Sequence, residues 1–338
     1  MGDATRAASL VIQTSFLGDV VLTTPLLQHL AARGPVDVVT TPAGGALLEQ
    51  HPAVRGVIRY DKRGGQRGLG GMRVLANTLR TGRYTAAYLA QGSWRSAALA
   101  WMAGIPQRIG FDRSGGALLY THRVPYRSDW HHATRLFQLA AGDERLTTPP
   151  PTLVPSAADR ASVEGLLAGA PFGAAPFIVL APGSVWATKR WPGFAALIDD
   201  LPPTYGIVVA GGPADRDLAQ SIAIAAPGRV LDATGHLSLL ASAALIARAV
   251  AVVTNDSLPQ HLASAMGTPT LTIYGPTLPA FGFGPLAPRH AVVEHPPGLE
   301  CRPCSAHGPQ ACPRGHFRCM REISASGVAD TLQSLLRP

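Results

Sequence analysis

The chain has 338 residues, of which 46% are hydrophobic and only 15% charged, so its composition excludes an intrinsically disordered protein. Its length predicts two domains rather than a single core. No segment approaches about 20 uninterrupted apolar residues, which argues against a membrane-spanning protein. The start, MGDATRAASLVIQTSFLGD, lacks the apolar core and cleavage site of a signal peptide, so we expect a cytoplasmic protein that at most touches a membrane.

The net positive charge of the chain comes entirely from its first half. Residues 1–155 hold 17 Lys and Arg against 9 Asp and Glu, whereas residues 156–338 hold 12 of each. The densest part is Arg59–Arg83, where Asp61 is the only acidic residue. This imbalance indicates an anionic partner such as a phosphorylated glycolipid or a membrane surface, with a solvated loop as the alternative. Nucleic acid is disfavoured, because the run has no interleaved aromatic residues and no binding motif.

Strands and helices alternate through the first half. Apolar runs predict strands at Ser9–Gln13, Val36–Thr40, Ala86–Ala90 and Arg108–Phe111, and intervening patterns predict helices at Val20–Ala32, Arg95–Ala103 and His131–Ala141. This alternation is typical of a parallel sheet with helices on both faces. The proline-rich stretch Thr147–Pro155 predicts a stiff linker, so we place the domains at 1–150 and 151–338.

The second half repeats the alternation and contains the most informative stretch, Ala251–Thr277. Strands are predicted at Phe177–Ala181, Ile207–Ala210, Val230–Asp232, Ala249–Thr254 and Thr270–Tyr274, and helices at Trp191–Leu201, Asp215–Ala225, Leu237–Ala247 and Pro259–Met266. Asn255, Asp256 and Ser257 lie between a buried strand and a helix start. Free N–H groups and the helix dipole favour an anionic ligand at that place. A simple helix cap is the alternative interpretation.

Two further groups of residues are candidates for sites. The turns Pro182–Ser184 and Gly211–Pro213 follow predicted strands, and each could offer backbone amides to a nucleotide. Four cysteines with the spacing C-x2-C-x7-C-x6-C could close a tetrahedral zinc site; these are Cys301, Cys304, Cys312 and Cys319. Free thiols in a reducing compartment are an equal alternative.

Six motifs, in one order, cover nearly the whole chain: SFLGDVVLTTPLLQHL, LAQGSWRSAALAWMAGIPQRIGF, APGSVWATKRWPGF, VVAGGPADRD, NDSLPQHLASAMGTPTLTIYGPT and CRPCSAHGPQACPRGHFRCM. In this order they resemble the ADP-heptose:lipopolysaccharide heptosyltransferases, which form glycosyltransferase family 9. The cysteine-bearing tail resembles the heptosyltransferase II type. The resemblance implies a GT-B-like α/β fold, in which two Rossmann-like doubly wound domains face each other across a cleft. The first domain would bind the acceptor and the second the nucleotide sugar.

The resemblance also implies roles for individual residues. Asp19 matches the catalytic aspartate, which would take the proton of the acceptor hydroxyl. The alternative is that Asp19 only caps the helix predicted from Val20. Lys189 matches the lysine that contacts the diphosphate, and we expect it to face Asp19 across the cleft. The alternative is an ordinary solvent-facing lysine. For donor binding, the resemblance implies Asp215, Asp256, Ser257 and His261, and the strand-end turns add Ser184 and Gly212. For acceptor binding, the basic charge of the first half makes Arg63, Arg67 and Arg95 the candidates.

The implied reaction is the inverting transfer of L-glycero-D-manno-heptose from ADP-heptose to a phosphorylated lipid A–core acceptor at the anionic inner membrane surface. No cofactor is expected for catalysis, and zinc would be structural. The sequence departs from the family where Leu258 and Pro259 stand in place of Gly-Leu, which keeps a different donor or acceptor open. A non-catalytic sugar-nucleotide-binding protein is a second alternative. A nicotinamide dehydrogenase is disfavoured, because no G-x-G-x-x-G follows the first strand.

Overall fold

The computed structural model describes residues 7–142 and 147–337. The chain forms two compact units, which divide after Val154, four residues beyond the boundary placed from the linker. Residues 1–6, 143–146 and 338, which the predicted domains 1–150 and 151–338 include, lie outside the described ranges. Across the described ranges, no helix is both long enough and apolar enough to cross a membrane.

The first unit is built on a parallel sheet of six strands. The strands are β1 (Ser9–Gln13), β2 (Val36–Thr40), β3 (Gly56–Arg59), β4 (Ala86–Leu89), β5 (Gln107–Phe111) and β6 (His122–Val124). The helices are α1 (Leu17–Ala31), α2 (Pro42–Leu48), α3 (Gly68–Thr81), α4 (Trp94–Met102) and α5 (His132–Ala141). Buried side chains of β1, β2 and β4 pack against α3 and α4 on one face of the sheet. Successive residues of these strands are buried, so both faces of the sheet are covered, which explains their continuous apolar runs.

The second unit repeats the plan. Its strands are β7 (Phe177–Ala181), β8 (Gly206–Val209), β9 (Val230–Asp232), β10 (Ala251–Asn255), β11 (Thr270–Tyr274) and β12 (His290–Glu294). Its helices are α6 (Ala157–Leu167), α7 (Phe194–Asp200), α8 (Arg216–Ala225), α9 (Leu239–Arg248), α10 (Leu258–Met266), α11 (Arg318–Arg321) and α12 (Ala325–Leu336). The carboxy-terminal helices α11 and α12 contribute side chains to the core of this unit.

The strand order locates a crevice in each unit. The sheets run β3-β2-β1-β4-β5-β6 and β12-β11-β10-β7-β8-β9, and every pair is parallel. Both are the doubly wound order in which the direction of winding reverses between the first and fourth strands. Ligands bind such sheets beyond the carboxyl ends of the strands at that reversal point. It lies between β1 and β4 in the first unit and between β7 and β10 in the second.

The predicted α/β class with two Rossmann-like sheets is confirmed. The structure also contains elements that the sequence did not predict, namely strands β3, β6 and β12 and helices α2, α3, α6, α11 and α12, and several predicted elements begin at other residues. Helix α1 begins at Leu17 rather than Val20, and α7 begins at Phe194 rather than Trp191. Much of the basic run Arg59–Arg83 is not a loop, because it contains helix α3. That helix is amphipathic, but three glycines in its first turn mask its pattern in the sequence.

Candidate active site

Asp19 lies in the first turn of α1, directly after β1. Phe16, not Asp19, is the N-cap residue of this helix, so the interpretation of Asp19 as a cap is wrong. The Ser15 hydroxyl donates to Asp19 Oδ2 at 2.6 Å and lies 2.5 Å from Gln13 Oε1. Only 16% of the Asp19 side chain is exposed. The end of β1 and the turn after it therefore hold one carboxylate at the carboxyl ends of the strands.

His132 is a neighbour of Asp19 that the sequence analysis did not single out. It is the first residue of α5, and its Nε2 lies 3.6 Å from Asp19 Oδ1. Burial lowers the pKa of His132 to about 3, with smaller contributions from Arg135 and His131. The imidazole is therefore neutral at neutral pH. The adjacent pair His131-His132 at a helix start is the only signal in the sequence that marked this position.

A cationic pocket of about 260 Å³ occupies the reversal point of the first sheet. It lies between the ends of β1 and β4 and is lined by Ile12, Thr14, Tyr60, Lys62, Gln91, Ser93, Arg95, Ser96 and Leu99. Lys62 Nζ donates to the Thr14 carbonyl at 2.7 Å, while burial, followed by Arg63 and Arg95, lowers the pKa of Lys62. Two basic side chains beside the first turn of α4 suit an anionic group.

The predicted acceptor residues do not all reach this pocket. Arg95 lines it, whereas the exposed Arg63 and Arg67 lie on the segment leading into α3 and are not among its lining residues. Lys62 takes a lining position instead. The sequence signal for Lys62 was its place in the basic run, which could not distinguish it from the neighbouring arginines.

In the second unit, Lys189 and Asp256 form a close ion pair. Lys189 lies in a single 3₁₀ turn, Ala187–Lys189, and its Nζ contacts Asp256 Oδ2 at 2.6 Å. The Thr277 hydroxyl donates to the same oxygen at 2.7 Å, and Gln260 Nε2 donates to Asp256 Oδ1 at 3.2 Å. Lys189 is only 8% exposed. The interpretation of Lys189 as a solvent-facing lysine is therefore wrong.

The predicted donor turns converge on Gly183. Ser257 is the N-cap residue of α10, but its hydroxyl makes no capping bond and lies 3.2 Å from the Gly183 carbonyl. A Cβ on Gly183 would lie 2.4 Å from Asp215 Oδ1, and one on Gly211 would lie 2.7 Å from Asp215 Oδ2. Gly212 N donates to Asp215 Oδ2 at 2.9 Å. The turns after β7, β8 and β10 therefore meet at the carboxyl ends of these strands, and the turn after β7 continues into Ser184.

His261 joins this network indirectly. It is buried on α10, and its Nε2 lies 3.4 Å from Gln260 Nε2, while Gln260 bonds to Asp256. Asn255, which is fully buried, accepts from Trp191 N at 3.1 Å and donates to the Pro182 carbonyl at 2.7 Å. It thus ties the segment after Lys189 to the end of β7. These supporting roles of Gln260 and Asn255 were not recognised in the sequence.

The structure does not support the predicted zinc site. Within residues 7–142 and 147–337, no group of three or more His, Cys, Asp and Glu side chains is arranged to hold a metal ion. All four cysteines are free thiols. Cys301 Sγ lies 3.7 Å from His316 Nε2, Cys304 Sγ donates to the Cys301 carbonyl at 3.5 Å, and Cys319 belongs to the apolar core. Burial raises the pKa of Cys319 to about 11, and the smaller contributions of Cys304, Cys312 and Cys301 place the four thiols within electrostatic range of one another.

Together, these features suit a transfer reaction with an anionic leaving group. The first unit offers a carboxylate that can accept a proton and a cationic pocket. The second unit offers an ammonium group held by a carboxylate, beside the start of α10. In a largely dry setting such a cation stabilises developing negative charge strongly.

Comparisons with known proteins agree with this chemistry. Residues 72–310 match glycosyltransferase family 9 (heptosyltransferase). The chain is 28% identical to lipopolysaccharide heptosyltransferase 2 of Salmonella typhimurium, covering 97% of this chain and 98% of that one. It is 30% identical to lipopolysaccharide heptosyltransferase 2 of Escherichia coli K12, covering 80% and 84%. It is 31% identical to lipopolysaccharide heptosyltransferase 1 of Pseudomonas aeruginosa, covering 80% and 79%.

The fold is similar to solved structures over nearly its full length. The structure of E. coli ADP-heptose lps heptosyltransferase II has a TM-score of 0.80 with 27% identity, covering 97% of this chain and 98% of that one. A glycosyl transferase family 9 structure from Veillonella parvula has a TM-score of 0.85 with 23% identity, covering 99% and 98%, and shows the shared fold. The chain belongs to glycosyltransferase family 9, the heptosyltransferase family.

Proposed function

We propose that this chain transfers L-glycero-D-manno-heptose from ADP-heptose to a phosphorylated lipid A–core acceptor, with inversion at the anomeric carbon. The observation that carries the proposal is the Lys189–Asp256 pair, together with Thr277, at the carboxyl ends of the second sheet. The pair fixes a buried lysine ammonium group near the reversal point, where a doubly wound sheet binds its ligand. Family membership, and relatives whose names describe lipopolysaccharide heptosyltransferases, support the choice of donor and acceptor.

In the proposed reaction, the acceptor oxygen forms a bond to the anomeric carbon as the bond from that carbon to ADP breaks. Asp19 takes the proton of the acceptor hydroxyl, and the departing electron pair stays on the diphosphate of ADP. Lys189, Ser257 and the first amides of α10 stabilise that diphosphate. Asp256 and His261 belong to the sugar side of the donor site, and Ser184, Gly212 and Asp215 to its nucleotide side.

The cationic pocket of the first unit is the proposed place for an anionic group of the acceptor. Lys62 and Arg95 line it directly, and their charges suit a phosphate or a sugar carboxylate. Arg63 and Arg67 lie on the exposed surface beside it in sequence, where they would attract the acceptor at longer range. The acceptor is lipid-borne, so we also propose that the protein works in the cytoplasm at the anionic inner membrane surface.

The test is an assay of ADP release with ADP-heptose and heptose-deficient lipopolysaccharide. We expect release that requires both substrates and is abolished in Asp19→Ala, while the variant still binds the donor. Acceptors lacking either the first or the second heptose identify which heptose is added. Donor binding without turnover in the wild type would instead indicate a non-catalytic protein. Turnover with only a different nucleotide sugar would show that the donor is not ADP-heptose, a result consistent with Leu258-Pro259 in place of Gly-Leu.

A further inference from the structure

The solvent side of helices α3 and α4 exposes several large apolar side chains. On α4, Trp94 is 61% exposed and Trp101 is 59% exposed. On α3, Leu69 is 66% exposed and Val74 is 64% exposed. Isolated exposed apolar residues are common, but a concentration on two adjoining helices marks an interaction surface.

The two tryptophans lie on one side of α4. They are seven residues apart, which places them about 10 Å apart along the helix axis and nearly in line. Trp101 also borders a shallow groove of about 450 Å³ between the two helices, whose α3 side carries Arg73, Asn77 and Arg80. Arg80 is held there, because its guanidinium donates to Asn77 and to the Met102 carbonyl. Trp101 of α4 and the arginines Arg73 and Arg80 of α3 therefore border the same groove.

The two helices and the segments that adjoin them in sequence carry charge of one sign only. Residues 62–111 contain eight Lys and Arg and no Asp or Glu. Both helices lie entirely inside this range, so no carboxylate of either helix offsets their arginines. Such a surface is complementary to a dense layer of negative charge.

We propose that the α3–α4 face, formed by Leu69, Arg73, Val74, Arg80, Trp94 and Trp101, docks on the surface of an anionic phospholipid bilayer. Tryptophan rings prefer the boundary between headgroups and acyl chains, and arginine bonds to lipid phosphates while its stem stays apolar. A polybasic surface adds attraction to anionic lipids.

Other occupants fit this face less well. Two copies of the chain meeting through it would bring arginines against arginines, which is unfavourable in a symmetric contact. A nucleic acid would satisfy the arginines but would leave the aliphatic side chains of Leu69 and Val74 without an apolar partner. A bilayer surface satisfies both the charge and the apolar area.

The face also adjoins the cationic pocket. Trp94 belongs to the face, and the next residue, Arg95, lines the pocket. A lipid anchored in the bilayer could therefore present its anionic headgroup to the pocket while the protein stays docked. This last step rests on the proposed function, whereas the docking itself does not.

The test is flotation with vesicles of phosphatidylglycerol and phosphatidylcholine in equal parts, compared with vesicles of phosphatidylcholine alone. We expect the wild type to bind the anionic vesicles, with a blue shift of tryptophan fluorescence. The double variant Trp94→Gln/Trp101→Gln should bind on the order of tenfold more weakly. Arg73→Gln should weaken binding about fivefold, and less at high salt.

Ile224→Gln on α8 and Arg160→Gln on α6 are matched controls, because both positions are exposed in the second unit. Both should bind vesicles like the wild type, and all variants should keep the wild-type melting temperature. The proposal is overturned if the wild type ignores anionic vesicles or if the double variant binds them equally well. It is also overturned if the double variant changes only the oligomeric state or only binding to transfer RNA.

Activity separates this proposal from the proposed function. The double variant should keep wild-type turnover with a delipidated core oligosaccharide and lose turnover with the same acceptor embedded in anionic vesicles. A wild type that binds vesicles through this face but turns over neither acceptor would overturn the proposed function and leave the docking intact.

Discussion

Lys189 Nζ and Asp256 Oδ2 lie 2.6 Å apart in the second unit, and the two side chains are only 10% and 12% exposed. Thr277 and Gln260 complete the hydrogen bonding of the carboxylate. An ion pair this buried is costly to break from one side, because the remaining charge stays in a dry place without its partner. The same ion pair fixes the position of the Lys189 ammonium group, which in the proposed function contacts the diphosphate of the donor.

Neutralising both members of this pair should destabilise the protein by less than the two single changes added together. We expect Lys189→Met or Asp256→Asn to lower the free energy of unfolding by about 3 kcal/mol. The double variant should lose less than the sum of the two changes. Denaturant unfolding of the four proteins measures the coupling. The exposed pair Arg248–Glu164 is the matched control, since Arg248→Met should cost under about 1 kcal/mol. Strictly additive changes at Lys189 and Asp256 would contradict this account.

Removing the Asp19 carboxylate should affect chemistry rather than donor binding. Asp19→Asn keeps the shape of the side chain but cannot accept the proton, so we expect kcat to fall by about 10²- to 10⁴-fold. Calorimetric titration should show unchanged ADP-heptose affinity. Ser15→Ala removes one hydrogen bond to Asp19 and should lower kcat by a smaller factor. Asp330→Asn, an exposed position on α12, is the control. An Asp19→Asn enzyme with wild-type kcat would exclude the proposed base.

The pocket of the first unit should act on the acceptor alone. We expect Lys62→Gln and Arg95→Gln each to raise the acceptor KM about tenfold and to leave the donor KM unchanged, because each removes one charge-assisted contact. Arg160→Gln should change neither constant. Steady-state kinetics, with each substrate varied separately, measure the two KM values. A rise in the donor KM alone would contradict the assignment of this pocket to the acceptor.

The lowered pKa of Lys62 adds a pH dependence to this prediction. Burial favours the neutral amine, so Lys62 loses its charge at a lower pH than an exposed lysine does. The acceptor KM of the wild type should therefore rise on the alkaline side. Lys62→Arg should move that rise to higher pH, since a guanidinium keeps its proton. Identical alkaline limbs for the two enzymes would argue against a role of the Lys62 charge.

His132 should stay neutral across the range in which an exposed histidine titrates. Its pKa is about 3 in the folded protein against 6.5 for the ordinary group, because burial disfavours the imidazolium. Its contribution to stability is therefore fully present above pH 6.5 and is lost as the pH falls toward 3. NMR should show no shift of the His132 ring signals between pH 8 and 5. His132→Gln should make unfolding less sensitive to acid over this interval.

The sequence predicted much of the frame. Strands such as Phe177–Ala181 and Val36–Thr40 were placed correctly, because a strand buried on both faces has a continuous apolar run. Helix starts were less accurate. Glycines obscured α3, and α1 begins three residues before its predicted start, which changed Asp19 from a cap to a residue of the first turn.

By itself, the sequence determined the alternation of strands and helices, the polar turns after the strands, and the uneven charge, because each is a property of neighbouring residues. Only the tertiary structure decided which distant side chains meet. Lys189 reaches Asp256 across 67 positions, Lys62 reaches Thr14 across 48, and His132 comes beside Asp19. These meetings depend on the order in which parallel strands lie in each sheet, and local hydrophobic patterns leave that order open.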